Sequence, residues 1–166
     1  MSLEQIEAEG IDIKNIDVKN DEALLKIEDR WMIESICRAM DYMKKNMDKY
    51  EIALAGHRIY DLIWNEYCDW YLEVIKGRIF GSDAKDKAVA ISVAVECMVS
   101  MLKMLHPFMP YITEEIWSYI PEQFMEGDKG MLISSVWKDY EGIKGGEEAT
   151  RIFTQVMTIK IGRAHV

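Results

Sequence analysis

The chain has 166 residues and a mass of 19.3 kDa, which fits one domain with a sizeable core. Its composition, 49% hydrophobic and 30% charged, is that of a soluble globular protein, and no repeat or low-complexity tract interrupts it. The formal net charge of −9 is unlike that of a typical nucleic-acid-binding domain, which has a basic surface. Any contact with nucleic acid must therefore be local, or depend on another part of a larger protein.

Cysteine usage and the N-terminus bear on the compartment. Cys37, Cys68 and Cys97 are far apart, each lies in a helical pattern, and no C-x-x-C pair occurs. An odd count of this kind argues against a disulfide framework and favours reduced, buried thiols. No basic stretch followed by an apolar run begins the chain, so no signal peptide is predicted. We expect a cytoplasmic protein.

The first 27 residues are interpreted as an N-terminal tag or linker and a loop. Met1-Ser2-Leu3 resembles a vector-derived start, and residues 10–21 alternate apolar and polar side chains without the turn residues of a hairpin. A loop laid on the core is predicted there, with an isolated strand as the weaker alternative. The domain itself is predicted to span residues 28–160, and residues 161–166 are a tail with no ordered continuation of the last helix.

A first strong helix is predicted over residues 28–50. Its apolar side chains recur at spacings of three and four and form one wide face. That face consists of Met32, Ile36, Met40, Met43, Met47 and Tyr50. Asp29, near the start, complements the helix dipole.

The second predicted helix, residues 52–76, is apolar over most of its circumference and should lie centrally in a bundle. One apolar face contains Ile59, Ile63, Trp70 and Val74, and an adjoining face contains Tyr60, Trp64, Tyr67 and Tyr71. The narrow polar remainder contains Arg58, Asp61, Asn65, Asp69, Glu73 and Lys76. Asp69 and Glu73, one turn apart, could face a catalytic cleft. The flanking Arg58 and Lys76 favour a buried or partly buried charge network instead.

A third helix is predicted over residues 84–105, with Ser82 or Asp83 as its N-cap. Its buried side contains Ala88, Ile91, Val95, Met98, Leu102 and Leu105, and its polar stripe is limited to Ser92, Glu96, Ser100 and Lys103. The apolar stretch 88–105 is long enough to raise the question of a membrane span. Because Glu96 and Lys103 interrupt it, a buried helix is the better interpretation.

Prolines delimit the next elements. Pro107 ends the third helix, Pro110 starts a short one as a first-turn proline, and Pro121 closes that helix at Ile120. Residues 123–146 contain several glycines and are predicted to be irregular and solvent-facing. A last helix is predicted over residues 147–160, with Ile152, Val156 and Ile159 inward. The predicted fold class is all-α, a bundle of four to five helices.

The sequence contains no recognisable catalytic or metal-binding pattern. The chain has no G-x-x-x-x-G-K-[ST] or G-x-G-x-x-G phosphate loop, and its three histidines are scattered. Neither His57 nor His106 forms the Glu-x-x-His pair of a bundle di-metal site. We therefore predict no catalytic residue, no metal site and no cofactor for this chain.

One face of the first helix suggests contact with nucleic acid. Trp31, Arg38 and Lys45 are seven residues apart and share a face, with Lys44 and Lys49 nearby. An aromatic ring beside cationic groups can stack a base of a single-stranded loop and hold its backbone. The alternative is that Trp31 packs in the core or at its rim and that the cations form an ordinary solvated face.

Three motifs carry a resemblance to a known family. They are Asp29-Arg30-Trp31-Met32, the aromatic stretch 60–73, and Leu-His-Pro-Phe-Met-Pro-Tyr-Ile-Thr-Glu-Glu-Ile-Trp over residues 105–117. Together they resemble the helical anticodon-binding domain of the valyl-tRNA synthetases, which are class I aminoacyl-tRNA synthetases. The last motif is similar, in looser form, to isoleucyl and leucyl relatives. Cys-Asp-Trp-Tyr-Leu-Glu at residues 68–73 points to the valyl branch.

The resemblance implies a function in aminoacylation. The parent would join valine to its tRNA using ATP and Mg²⁺, and this domain would receive the anticodon stem-loop of valine tRNA. The implied partners are that tRNA and the remainder of the synthetase, without a membrane. The family's His-Ile-Gly-His and Lys-Met-Ser-Lys-Ser signatures are absent, so the fragment itself is predicted to be non-catalytic.

The predicted tRNA-binding residues are Arg30, Trp31, Arg38 and Lys45. The motif aromatics Trp70, Phe108, Tyr111 and Trp117 are predicted to be core. A second hypothesis remains: a helical protein-interaction scaffold with no RNA contact in isolation. The acidic balance motivates it, together with a groove that would be open if the family's first helix is missing.

Overall fold

The computed structural model describes residues 16, 18, 22–125, 130–138, 140 and 143–163, with side chains up to residue 158. Within those residues the regular structure is helical, which confirms the all-α prediction. The α-helices are α1 (Ile27–Met47), α2 (Ile52–Asp61), α3 (Leu72–Ile79), α4 (Ala84–Leu105), α5 (Pro110–Trp117) and α6 (Gly146–Arg163). A π-helical segment, Leu62–Tyr71, joins α2 to α3 into one continuous rod. The predicted loop over residues 10–21 lies outside the described residues except for Ile16 and Val18.

Helix α1 begins with a capping interaction and buries the predicted methionine face. The Lys26 backbone N–H donates to the Asp29 carboxylate at 3.0 Å, which satisfies one of the donors left free at a helix start. Met32 and Met43 are fully buried. Tyr50 does not share that face: α1 ends at Met47, Tyr50 has a φ of 61°, and its side chain is 89% exposed. Its assignment to the apolar face was wrong because the helix stops one turn earlier.

The π-helical segment changes which side chains of the rod face inward. A π-helix has i→i+5 bonding and more residues per turn than an α-helix, so a stripe that follows the α-helical period drifts. The Leu72 N–H bonds to the Tyr67 carbonyl in this pattern. The buried stripe is accordingly Ile59, Leu62, Tyr67, Tyr71 and Ile75. Of the predicted inward residues, Val74 is 42% exposed, and Tyr60 and Trp64 are more than half exposed.

Helix α4 is the central element and is covered on nearly all sides. One side packs against α1 and the rod, and another packs against α5 and the short 3₁₀ turn Glu122–Phe124. It is long and apolar enough to cross a membrane by length and composition, but 83% of its most apolar window is buried inside the structure. Asp83 caps it by accepting from the Lys85 and Asp86 N–H groups, as predicted.

The connection over residues 123–146 is not wholly solvent-facing, contrary to the prediction. Its described part lies over the polar stripe of α4: the Tyr140 hydroxyl and the Ser100 hydroxyl are 2.6 Å apart, and Lys103 Nζ donates to the Val136 carbonyl at 2.7 Å. Leu132 is also buried. Polar groups on a buried helix need partners, and this segment provides them for Ser100 and Lys103.

Helix α6 packs along α1. The Trp31 and Phe153 rings are parallel, with centroids 4.5 Å apart. Gly145 has a φ of +83°, a conformation that favours glycine. A Cβ on Gly146 would lie 2.8 Å from the Glu34 Cβ, so the absence of a side chain at Gly146 allows the close approach of α6 to α1. The helix continues to Arg163, so its predicted end at residue 160 was wrong. The domain boundary predicted at that point stays a prediction.

The proline-bounded motif, residues 105–117, contains both buried and exposed side chains. Trp117 is buried and donates its indole N–H to the Gly130 carbonyl at 3.1 Å. Phe108 and Trp70 are partly buried and pack against the main hydrophobic core of the bundle. Tyr111 is 92% exposed, so its assignment to the core was wrong: it faces away from α4 on a helix of only two turns.

The buried charge network lies elsewhere than predicted. Arg78 Nη1 is 2.8 Å from Asp29 and 3.0 Å from Glu28, and Arg78 Nε is 2.9 Å from Asp86. By contrast, Asp69 is exposed, and Glu73 pairs with Lys76 on the surface. The network therefore ties the start of α1 to the end of α3 and the start of α4.

Candidate nucleic-acid interface

Two of the four predicted tRNA-binding residues, Trp31 and Arg30, hold other segments of the chain against α1. The Trp31 ring is 3% exposed under Phe153, so this conformation does not present it to a base. The Arg30 guanidinium pairs with Glu22 at 2.9 Å and also donates to the Glu22 and Lys144 carbonyls. The structure thus supports the core alternative for Trp31, and it places Arg30 where it fastens flanking segments to α1.

The other two, Arg38 and Lys45, lie on the outer surface of α1. Arg38 is exposed and pairs with Glu34 at 2.8 Å, an i,i+4 contact open to solvent. Lys45 is exposed and has no ion-pair partner among the described residues. Lys44 and Lys49 are exposed as well. We call Arg38, Lys44, Lys45 and Lys49 the α1 cation stripe.

An aromatic ring does lie beside this stripe, but it comes from another part of the chain. Lys44 Nζ is 5.7 Å from the centroid of the Trp137 ring, a cation–π distance. Trp137 is partly buried, so one part of its ring remains accessible. The structure therefore brings Trp137, rather than Trp31, to the cations of α1.

Trp137 forms one wall of a cleft of about 490 Å³. The α1 wall includes Cys37, Arg38 and Lys44, and the opposite wall includes Trp137, Tyr140 and Ile143. A volume of this order is at the lower end of pockets that hold small molecules, and a single nucleobase fits it.

The cleft wall is held in place by contacts to α4. Lys138 Nζ lies 2.6 Å from Glu96 and 5.9 Å from the centroid of the Tyr140 ring. Tyr140 is buried and its hydroxyl meets Ser100. These contacts fasten the segment that carries Trp137 to α4. The only signal in the sequence was an aromatic residue next to a lysine, Trp137-Lys138, within a segment rich in glycine.

Just beyond the end of α1 the chain exposes another aromatic ring. Tyr50 protrudes with 89% of its side chain exposed, directly after Lys49, and has the left-handed backbone that non-glycine residues rarely adopt. Its N–H bonds to the Met47 carbonyl and the Glu51 N–H bonds to the Asn46 carbonyl, so the turn is hydrogen-bonded. Backbone strain of this kind concentrates at functional sites. No sequence signal distinguished Tyr50 from its helix neighbours.

The charges along the cleft are mixed. Glu34 and the exposed Asp41 lie in the α1 wall between the cations. Such a surface holds few phosphates, but it can stack a base on Trp137 or Tyr50 and offer both donors and acceptors to base edges. Among the residues that the structure describes, no group of His, Cys, Asp and Glu is arranged to hold a metal ion.

Comparison with known proteins identifies the family. The family profile for the anticodon-binding domain of tRNA ligase matches residues 29–163. A valine–tRNA ligase of Petrotoga mobilis is 39% identical over 142 residues, covering 86% of this chain and 16% of the relative. Those of Oceanobacillus iheyensis and Clostridium acetobutylicum are each 32% identical, covering 95% and 89% of this chain and 17% and 16% of the relatives.

The chain thus spans about one sixth of the length of the curated relatives it matches. The profile nevertheless covers most of the chain, and it begins at Asp29, the buried carboxylate at the start of α1. The chain belongs to the family of anticodon-binding domains of tRNA ligases, and it resembles the valine–tRNA ligase members.

Proposed function

We propose that the cleft and the α1 cation stripe receive the anticodon loop of a valine tRNA. The observation that carries the proposal is the placement of Lys44 over Trp137 in an open cleft next to Arg38. In this assignment Trp137 and Tyr50 are the stacking residues, and Arg38, Lys44, Lys45 and Lys49 contact the backbone. Arg30 and Trp31 position α1 rather than touch RNA.

The proposal extends to the longer protein. The relatives are valine–tRNA ligases, so a parent that attaches valine to tRNA with ATP and Mg²⁺ accounts for the family match. This domain contributes recognition, and the remainder of the synthetase contributes the chemistry. The remainder is the second partner we propose for the domain.

The experiment is a fluorescence anisotropy titration with a valine anticodon stem-loop and a control of the same stem with a scrambled loop. Arg38→Glu should weaken binding of the cognate loop and leave the Tm nearly unchanged, because Arg38 is exposed. Arg151→Glu is the matched control: it makes the same charge change at a side chain that is 73% exposed on α6. Equal affinity for both loops at low salt contradicts the proposal.

Tyr50→Ala tests the stacking role without disturbing the core, since the ring is almost fully exposed. Loss of one stacked base costs about 1–3 kcal/mol of binding free energy. The salt dependence provides a further test: so acidic a surface should give a shallow slope, on the order of two to three phosphates. A slope as steep as that of a basic protein contradicts a local contact.

A further inference from the structure

The rod carries an exposed aromatic pair that the proposed RNA surface does not use. Tyr60 is 59% exposed and Trp64 is 54% exposed, and their rings are tilted with centroids 6.3 Å apart. Large aromatic residues are costly to leave in water and are enriched where proteins bind other proteins. The pair lies where α2 passes into the π-helical segment, and π-helical turns occur frequently at functional sites.

The charges around this pair are negative. Asp61 and Asp69 are exposed, and neither has an ion-pair partner among the described residues. Asp61 accepts a hydrogen bond from Asn65 at 3.1 Å, which leaves its charge in place. The nearest cations on the rod are already paired: Arg58 with Glu66 at 2.5 Å, and Lys76 with Glu73. We call Tyr60, Asp61, Trp64 and Asp69 the acidic aromatic face.

This combination discriminates between classes of partner. A phosphate backbone is repelled by unpaired carboxylates, whereas a guanidinium or ammonium group is attracted by them and also by the faces of Trp and Tyr rings. Arginine satisfies both, because its planar group stacks on aromatic rings and pairs with carboxylates. We propose that the acidic aromatic face is a docking site for an arginine-containing basic protein segment, with Trp64 as the stacking residue.

The test uses the 166-residue chain and a fluorescein-labelled, alanine-rich helical peptide with arginines at i, i+4 spacing. Trp64→Ala should weaken peptide binding by about two- to fivefold, the range for a cation–π contact at an exposed site. Asp61→Asn combined with Asp69→Asn should also weaken it, by a similar factor. The same peptide with lysines in place of arginines should bind the wild-type chain more weakly.

Two control variants separate this face from general charge attraction. Tyr119→Ala removes an aromatic ring that is 72% exposed on a different surface, and Glu147→Gln with Glu148→Gln removes two exposed charges at the start of α6. Both should leave peptide affinity within twofold of wild type. Equal losses in the controls, or no loss in the Trp64 variant, overturn the proposal.

Other occupants of the face give different results. If Trp64→Ala lowers affinity for the anticodon stem-loop instead, the face binds RNA. If it abolishes self-association in sedimentation, the face joins two copies of the chain. Either outcome refutes the basic-segment proposal. Thermal unfolding of each variant checks that the half-exposed Trp64 ring is not needed for folding.

Discussion

The Tyr71 hydroxyl donates a hydrogen bond of 2.9 Å to the Asp29 carboxylate in the buried interior of the bundle. Asp29 lies in the first turn of α1 and Tyr71 ends the π-helical segment, so the bond joins α1 to the rod. The other Asp29 oxygen accepts from Arg78 and from the Lys26 backbone N–H. One carboxylate thus caps a helix, satisfies a buried hydroxyl and neutralises a buried guanidinium.

Asp29→Ala should therefore destabilise the fold strongly. Its removal leaves the buried Tyr71 hydroxyl and the Lys26 N–H without their acceptor, and it takes one of three carboxylate partners from Arg78. Each buried polar group that loses its partner costs about 1–3 kcal/mol, so the total loss should reach several kcal/mol. The measurement is the free energy of unfolding in urea. Glu73→Ala is the control, because that carboxylate pairs with Lys76 on the surface and should change stability by about 0–1 kcal/mol. Similar losses in both variants would show that burial of Asp29 is not decisive.

Tyr71 also makes stability depend on alkaline pH. Burial, and then the negative charge of Asp29, raise the pKa of Tyr71 well above its ordinary value. The folded state thus favours the neutral phenol. Its contribution to the free energy of unfolding is complete below about pH 10. That contribution is lost as pH rises further, because the phenol of the unfolded chain ionises at a lower pH than that of the folded chain. Tyr71→Phe loses the hydrogen bond at neutral pH, but its stability should decline less between about pH 9 and 11. Parallel curves for the two proteins would refute this cause.

The sequence predicted most of the helices but not which side chains of the rod face the core. The predicted 84–105 helix and the Asp83 cap agree with α4, because a cap residue and a proline mark its ends. The π-helical segment gave no such signal. Its changed period moved Leu62 and Ile75 into the core and turned Trp64 and Val74 outward, so a projection at 3.6 residues per turn failed after the first two turns.

The candidate site was predicted in part, for a related reason. Helical periodicity correctly placed Arg38 and Lys45 on an exposed face of α1. Periodicity within one helix cannot reveal a ring supplied by a distant segment, and Trp137 is ninety-three residues from Lys44 in the chain. It also cannot reveal that α6 covers Trp31, since that depends on tertiary packing.

Truncation of two aromatic residues in the proline-bounded motif should change the free energy of unfolding by very different amounts. Trp117 is 3% exposed and hydrogen-bonded, so Trp117→Ala should cost about 3–5 kcal/mol of unfolding free energy. Tyr111 is 92% exposed, so Tyr111→Ala should stay within about 0.5 kcal/mol of wild type. Chemical unfolding of the two variants measures the difference. A large loss for Tyr111 would mean that its ring is buried in solution.

Substitutions at Trp31 and Trp137 distinguish a residue that positions α1 from a residue that contacts the RNA. Trp31→Phe keeps an aromatic ring against Phe153, so stem-loop affinity should remain within about twofold of wild type. Trp137→Ala removes the ring under Lys44, so stem-loop binding should lose about 1–3 kcal/mol of free energy, the contribution of one stacked base. Circular dichroism and thermal unfolding check that both variants fold. If Trp31→Phe were the more damaging change, the surface would have to include a rearranged α6.

The alkylation rates of the three thiols can show whether RNA binds in the cleft. Cys97 is fully buried, and burial, followed by the charge of Glu96, raises its pKa well above the ordinary value, so it should react with a thiol reagent only on unfolding. Cys37 and Cys68 are partly exposed, and Cys37 alone of these lines the cleft. Saturating stem-loop RNA should therefore slow alkylation of Cys37 several-fold while leaving the rate at Cys68 unchanged, as read by mass spectrometry of the labelled peptides. Protection of Cys68 with an unprotected Cys37 would place the RNA on the rod, and so refute the cleft as its binding site.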